Sequence, residues 1–351
     1  MSRINLFTIP AGAAFADELA RGIVQRFGSG EDPFALSEVW VLVPTRRAIR
    51  TLKEAFERVS PNNITVLPKI YALGDLDDDP SPLREDAEEN LALDELVAPG
   101  LPPVISPLRR ELLFTKLIQH WSMRQAEANP EHSIGAERPA LALQLARELA
   151  RILDLATSEG LSWEKLEKLV PVELAQHWEQ TLLFLSIVTK EWPEELKREN
   201  ASDPAAHRDA ALRDAAQRWR TSPPHHPVVA AGSTGSVPAT AELLKTIVNL
   251  PEGAVVLPGI DVALDDAAWE SLGPGHPQHG MAQLLQKFEA SRDDVQPWTD
   301  APARAARARL IAEALRPAET TPDWRRYVQD GRADIARGLI GLKSIVARTP
   351  G

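Results

Sequence analysis

Apolar positions in the first seventy residues switch between two periods. Ile4 to Ile9 reads as a short strand, Pro10-Ala11-Gly12 as a turn. From Ala13 to Phe27 the apolar residues Phe15, Leu19, Ile23 and Val24 recur at helical spacing. Gly28-Ser29-Gly30 ends that helix. Val39 to Val43 is a continuous apolar run, the pattern of a strand covered on both faces. Pro44 stops it and Thr45 stands as an N-cap. A helix is predicted from there to about Val59 through Ile49, Leu52 and Phe56. Ile64 to Ile70 is a third strand. Strands and helices alternating through short joints predict a parallel sheet of the α/β class.

The middle of the chain changes character. Pro102-Pro103 and Pro107 introduce a long series of helical patterns. Arg109 to Arg124 carries Leu113, Leu117 and Trp121, and Pro139 to Thr157 carries Leu145, Leu149, Ile152 and Leu153. Val172 to Thr189 carries Leu174, Trp178, Leu182 and Leu185. Asp203-Pro204 reads as a cap followed by proline at the first helical position, opening a helix to about Trp219. From about 105 to 222 no strand pattern appears, which predicts an all-helical insertion whose tryptophans and leucines form its own core.

The α/β pattern then resumes. Ser222 to Pro227 is a proline-rich joint, Val228 to Ala231 a strand, Gly232 to Pro238 a loop and Ala239 to Asn249 a helix. Gly253 to Pro258 is another strand. His276 to Phe288 reads as a loop entering a helix, and Ala303 to Leu315 as a further helix. The expected organisation is one sheet domain from 1–75 and 228–290. The acidic linker and helical insertion occupy 76–227, and 291–351 is a mainly helical segment.

Composition narrows the chemistry. With 351 residues, 44% hydrophobic and 25% charged, the chain has the makeup of an ordinary globular protein, large enough for a core without covalent staples. There is no cysteine, which removes disulfides, thiolate metal sites and a cysteine nucleophile together, and is compatible with a reducing cytoplasm. No apolar run approaches the ~18 residues of a membrane span, so no membrane is expected.

The net charge of −11 argues against non-specific coating of DNA, but it is unevenly spread. Ten acids and one arginine between Gly74 and Val97 hold −9 of it. Such a block reads as a solvated linker. Local basic patches remain possible elsewhere. From 40 to 60, Arg46, Arg47, Arg50, Lys53 and Arg58 face two acids, a net +3. Thr45, Arg46 and Arg47 put a hydroxyl, free N–H groups and guanidinium groups at a helix N-terminus, which suits a phosphate. A solvated helix face with an ordinary cap has the same composition.

A working nucleotide loop needs a glycine-rich turn, a lysine and a hydroxyl. Pro10-Ala11-Gly12-Ala13-Ala14 stands where such a loop belongs, with one glycine and neither of the other groups. The strand Val228 to Ala231 ends without the carboxylate that would help hold magnesium. The loop after it, Gly232-Ser233-Thr234-Gly235-Ser236, lies where open α/β sheets bind ligands. Ser233, Thr234 and Ser236 offer hydroxyls to a phosphate or sugar, or simply cap a turn. Ser233 is not in a G-x-S-x-G elbow, so it is not read as a nucleophile. His225-His226 and His276-Pro277-Gln278-His279 lack the H-E-x-x-H spacing of a helical metal site; no metal ligand and no cofactor are assigned.

Several segments together resemble the alphaproteobacterial form of the AddB family of double-strand break repair proteins. They are Ala230 to Ala241 with Gly253 to Asp261, Leu42 to Ala48, Ile105 to Arg110, and His177 to Leu182. The resemblance spans about residues 5 to 325. It implies a RecA-like, superfamily 1 helicase-like sheet domain interrupted by a helical insertion, corresponding to the first third of a longer protein whose nuclease part lies elsewhere. It also implies a module inactive as a motor. By position, the resemblance places single-stranded DNA at Thr45, Arg46 and Arg47, and it implies pairing with an AddA-like motor subunit in the cytoplasm; Arg50, Ser233, Thr234 and Ser236 are further candidate contacts from their residue type and place in the chain. Two other classes stay open: an active P-loop NTPase, and a helical interaction scaffold with no nucleic-acid role.

Overall fold

The structure is a computed structural model that describes residues 4–28, 32, 34–60, 66–74, 100–128, 138–161, 175–262, 264–300 and 305–321. The acidic stretch after Gly74, residues 64–65 of the third expected strand and the segment 322–351 lie outside the described residues. In chain order the first elements are β1 (Leu6–Ile9), α1 (Phe15–Phe27), β2 (Trp40–Val43), α2 (Arg46–Val59) and β3 (Lys69–Ala72). Helices α3 (Pro107–Ala128), α4 (Pro139–Ser158), α5 (Ala175–Ser186), α6 (Trp192–Glu199) and α7 (Pro204–Thr221) follow. The chain then returns through β4 (Val228–Ala231), α8 (Pro238–Ile247), β5 (Gly253–Pro258), α9 (Asp266–Glu270), α10 (His279–Phe288), β6 (Gln296–Pro297) and α11 (Ala305–Leu315).

The six strands form one all-parallel sheet in the order β3-β2-β4-β5-β1-β6. Val41 pairs with Val229 and Leu6 with Val255, so the two ends of the sequence pattern share one sheet, as expected. Every residue of β4 is buried, and so are the first five of β5. Their unbroken apolar runs are what central parallel strands require. Ile9, Val41, Val43, Val229 and Val256 build one core with Leu19 and Ile23 of α1 and Leu52 and Phe56 of α2.

Two differences from the sequence reading stand out. Among the described residues the third strand begins at Lys69 and runs to Ala72, two residues beyond the expected end at Ile70. Its register is set by pairing Lys69 with Trp40 and Ala72 with Val43. The sheet also extends past residue 290. Gln296 and Pro297 pair with Phe7 and Thr8 and place Trp298 in the core, 1% exposed.

The chain divides into two compact units, one of residues 1–73, 218–236 and 241–351 that holds the sheet, and one of 74–217 with 237–240. The described elements of the second unit are helical, apart from a single bridge between Val104 and Ser202. Its core stacks Phe114 on Trp192, with ring centroids 4.1 Å apart, among Ile118, Leu149 and Ile187. A left-handed Asn200 (φ 48°) ends α6.

A buried charge network ties this unit together. Arg110 donates to both oxygens of Asp154 (3.0 and 2.7 Å) and to Asp203 Oδ2 (3.0 Å). Trp192 Nε1 donates to the same Asp203 oxygen at 3.1 Å. Burial pushes the Asp203 carboxyl above the ordinary aspartate range, and the nearby Arg110 charge pulls against it.

Candidate functional site

A sheet of parallel strands sends every strand out at one edge, and in open α/β sheets ligands bind there. Pro10, Pro44, Gly232 and Gly259 leave β1, β2, β4 and β5 at that edge. The loops are packed closely. Gly232 has φ +78°, and a Cβ on it would meet the Phe15 ring at 3.5 Å and Pro44 at 3.6 Å. Phe15, the first residue of α1, therefore packs against Gly232 at the end of β4. Gly259 has φ +69° and lies against the Pro10–Ala14 loop, where a Cβ would come within 3.0–3.1 Å of Ala11.

The loop of Pro10, Ala11, Gly12, Ala13 and Ala14 is a simple turn closed by Ala13 N–H donating to Pro10 O at 3.1 Å, with Gly12 at φ +90°. Ala14 caps α1 without a side-chain hydrogen bond, and Asp17 and Glu18 occupy the first turn. Carboxylates are favoured at this positive end of a helix, and they repel a phosphate there. Burial by itself would raise the Glu18 carboxyl. Hydrogen bonds from Thr299 (2.6 Å) and from Arg21 outweigh it and hold the group below the usual range, charged.

The start of α2 has the opposite character. Thr45 has extended backbone (φ −131°, ψ 160°), and its Oγ1 accepts from Ala48 N–H at 3.2 Å. No acid lies in the first turn, while Arg46 and Arg47 do. An unpaired cation at the positive end of a helix costs about 0.3–1 kcal/mol, the reverse of what stability alone selects. Arg46 is half-buried. Arg47 and Arg50 are exposed, and neither forms an ion pair with a described residue. Arg58, by contrast, is held by Asp17, its Nη2 donating to Oδ1 at 2.7 Å. Arg58 is thus withdrawn from the basic segment, and α2 buries Leu52, Ala55 and Phe56 on its other face.

The hydroxyl loop after β4 splits in two. Ser233 is 5% exposed and its Oγ accepts from Gly235 N–H at 3.2 Å, so its hydroxyl is turned inward to form a turn. Gly235 (φ +62°) packs under Leu284 of α10, which covers this loop. Thr234 is half-buried and Ser236 exposed. Pro44, next to Thr45, packs near Gly232, the first residue of the Ser233–Ser236 loop, so the two sequence-predicted groups sit at one edge of the sheet. The burial of Ser233 and the capture of Arg58 by Asp17 depend on residues 41 or more positions away or on another element. The turn-capping alternative for Ser233 is legible in the local sequence; the pairing of Arg58 with Asp17 is not.

Among the described residues, no group of three or more His, Asp or Glu is arranged to hold a metal ion. None of the described helices is long and apolar enough to cross a membrane. No protein-family model matches the chain, and a search of curated proteins finds no match.

Proposed function

We propose that this chain is a helicase-like module without motor activity, which holds the phosphate backbone of single-stranded DNA at the N-terminus of α2 and works with an AddA-like motor subunit in break repair. The observation that carries the reading is the reversed electrostatics of the two helices that start at the same sheet edge. At α1, Asp17 and Glu18 stand in the first turn, which is unfavourable for a triphosphate at the degenerate loop. At α2 the first turn has no acid and a capping threonine, and exposed Arg47 makes no ion pair with a described residue, an arrangement that an anion would complete. Local rules broken in this way are expected at functional sites. Phosphate contacts made by arginine guanidinium groups and helix N–H groups fix position and do not depend on base identity.

The same contrast disfavours the active NTPase alternative. A phosphoryl-transfer site depends on positioned positive charge, and the loop after β1 has no lysine, while the nearby Arg21 and Arg58 are already paired with Glu18 and Asp17. The reading is tested by titrating a dye-labelled single-stranded oligonucleotide with the chain alone and after co-purification with the motor subunit. Expected are salt-sensitive binding that is weak for the chain alone and stable association with the partner. Salt-independent binding, or magnesium-dependent ATP turnover by the chain alone, would overturn it.

A further inference from the structure

We draw no further inference here: the strongest candidate, a cleft of about 280 Å³ beside the starts of β4 and β5 between Trp219, Pro223, Lys245 and Pro251, has rim charges already paired as Arg220–Glu242 and Lys245–Glu289, and nothing in the structure shows what occupies it.

Discussion

The Trp298 indole lies against Gly22 in the middle of α1 and donates its Nε1–H to Leu19 O at 3.2 Å. A Cβ at residue 22 would stand 2.1 Å from that nitrogen. Glycine inside a helix is normally a cost of about 0.5–1 kcal/mol. Here it lets the sixth strand's tryptophan reach the core, where Arg26 covers its ring at 3.8 Å and Phe7 meets it edge-on at 5.2 Å.

Gly22→Ala is therefore expected to destabilise the sheet unit despite the better helix former. Overpacking of this kind costs about 1–3 kcal/mol. Denaturant unfolding followed by tryptophan fluorescence measures it. A variant as stable as the parent, or more so, would show that Trp298 is not seated as described.

In the helical unit, removing Arg110 leaves Asp203 buried and uncompensated. Asp203 is 5% exposed. Breaking a buried pair by deleting one partner costs about 3–5 kcal/mol, so Arg110→Ala is expected to fall in that range by urea titration. Arg110→Met combined with Asp203→Asn and Asp154→Asn is expected to recover most of the loss. A triple variant as unstable as the single one would mean that packing, not charge, is what Arg110 supplies.

Asp209 gives a pH-dependent prediction. It is 2% exposed; Arg208 Nη2 lies 3.6 Å from one oxygen and Arg213 Nη2 3.4 Å from the other. Burial pushes its carboxyl above the ordinary aspartate value, and the two arginines pull against this. Folding therefore favours the protonated form. That contribution is fully present below the unfolded-state pKa and is lost as pH rises through the raised folded value. Asp209→Asn lacks it, so the variant's stability relative to the parent is expected to improve from about pH 4 to about pH 7. Parallel stability curves for the two proteins would contradict the assignment.

Much of this fold is readable in the sequence because its signals are local. The run Val39 to Val43 and the cap at Thr45 define β2 and the start of α2 within seven residues. The apolar runs at Val228 and Gly253 likewise mark the central strands. What escapes is set by distant partners. Gln296-Pro297 has neither strand length nor β-branched residues, and becomes β6 only by pairing with Phe7 and Thr8. Lys69 is a poor strand residue by propensity, and is tolerated at the sheet edge with its ammonium 5.6 Å from the Trp40 ring. At the candidate site, the Thr45 cap follows from residue type. The turn at Ser233 is local, closed by Gly235 N–H, whereas the cover of Leu284 of α10 over Gly235 comes from 49 positions away in sequence.

Nucleotide is expected to find no purchase at the first loop. Phe15 and Ala11 pack against Gly232 and Gly259, and the loop has no lysine or hydroxyl. Each missing electrostatic contact in phosphoryl transfer is typically worth about 3 kcal/mol. Calorimetry with magnesium-ATP is expected to show no saturable heat at this loop. Saturable binding that is lost on placing a bulky residue at Gly12 would contradict the account and favour the NTPase alternative.

The most direct test is the salt dependence of single-strand binding, alone and with the proposed AddA-like partner, for the parent and for Arg47→Ala combined with Arg50→Ala. Each phosphate contact contributes about 0.7 to the slope of log affinity against log salt on a single strand. The double variant is expected to bind more weakly, with a slope shallower by about 1.4. Affinity and slope both equal to the parent's would contradict the claim that α2 holds the DNA backbone.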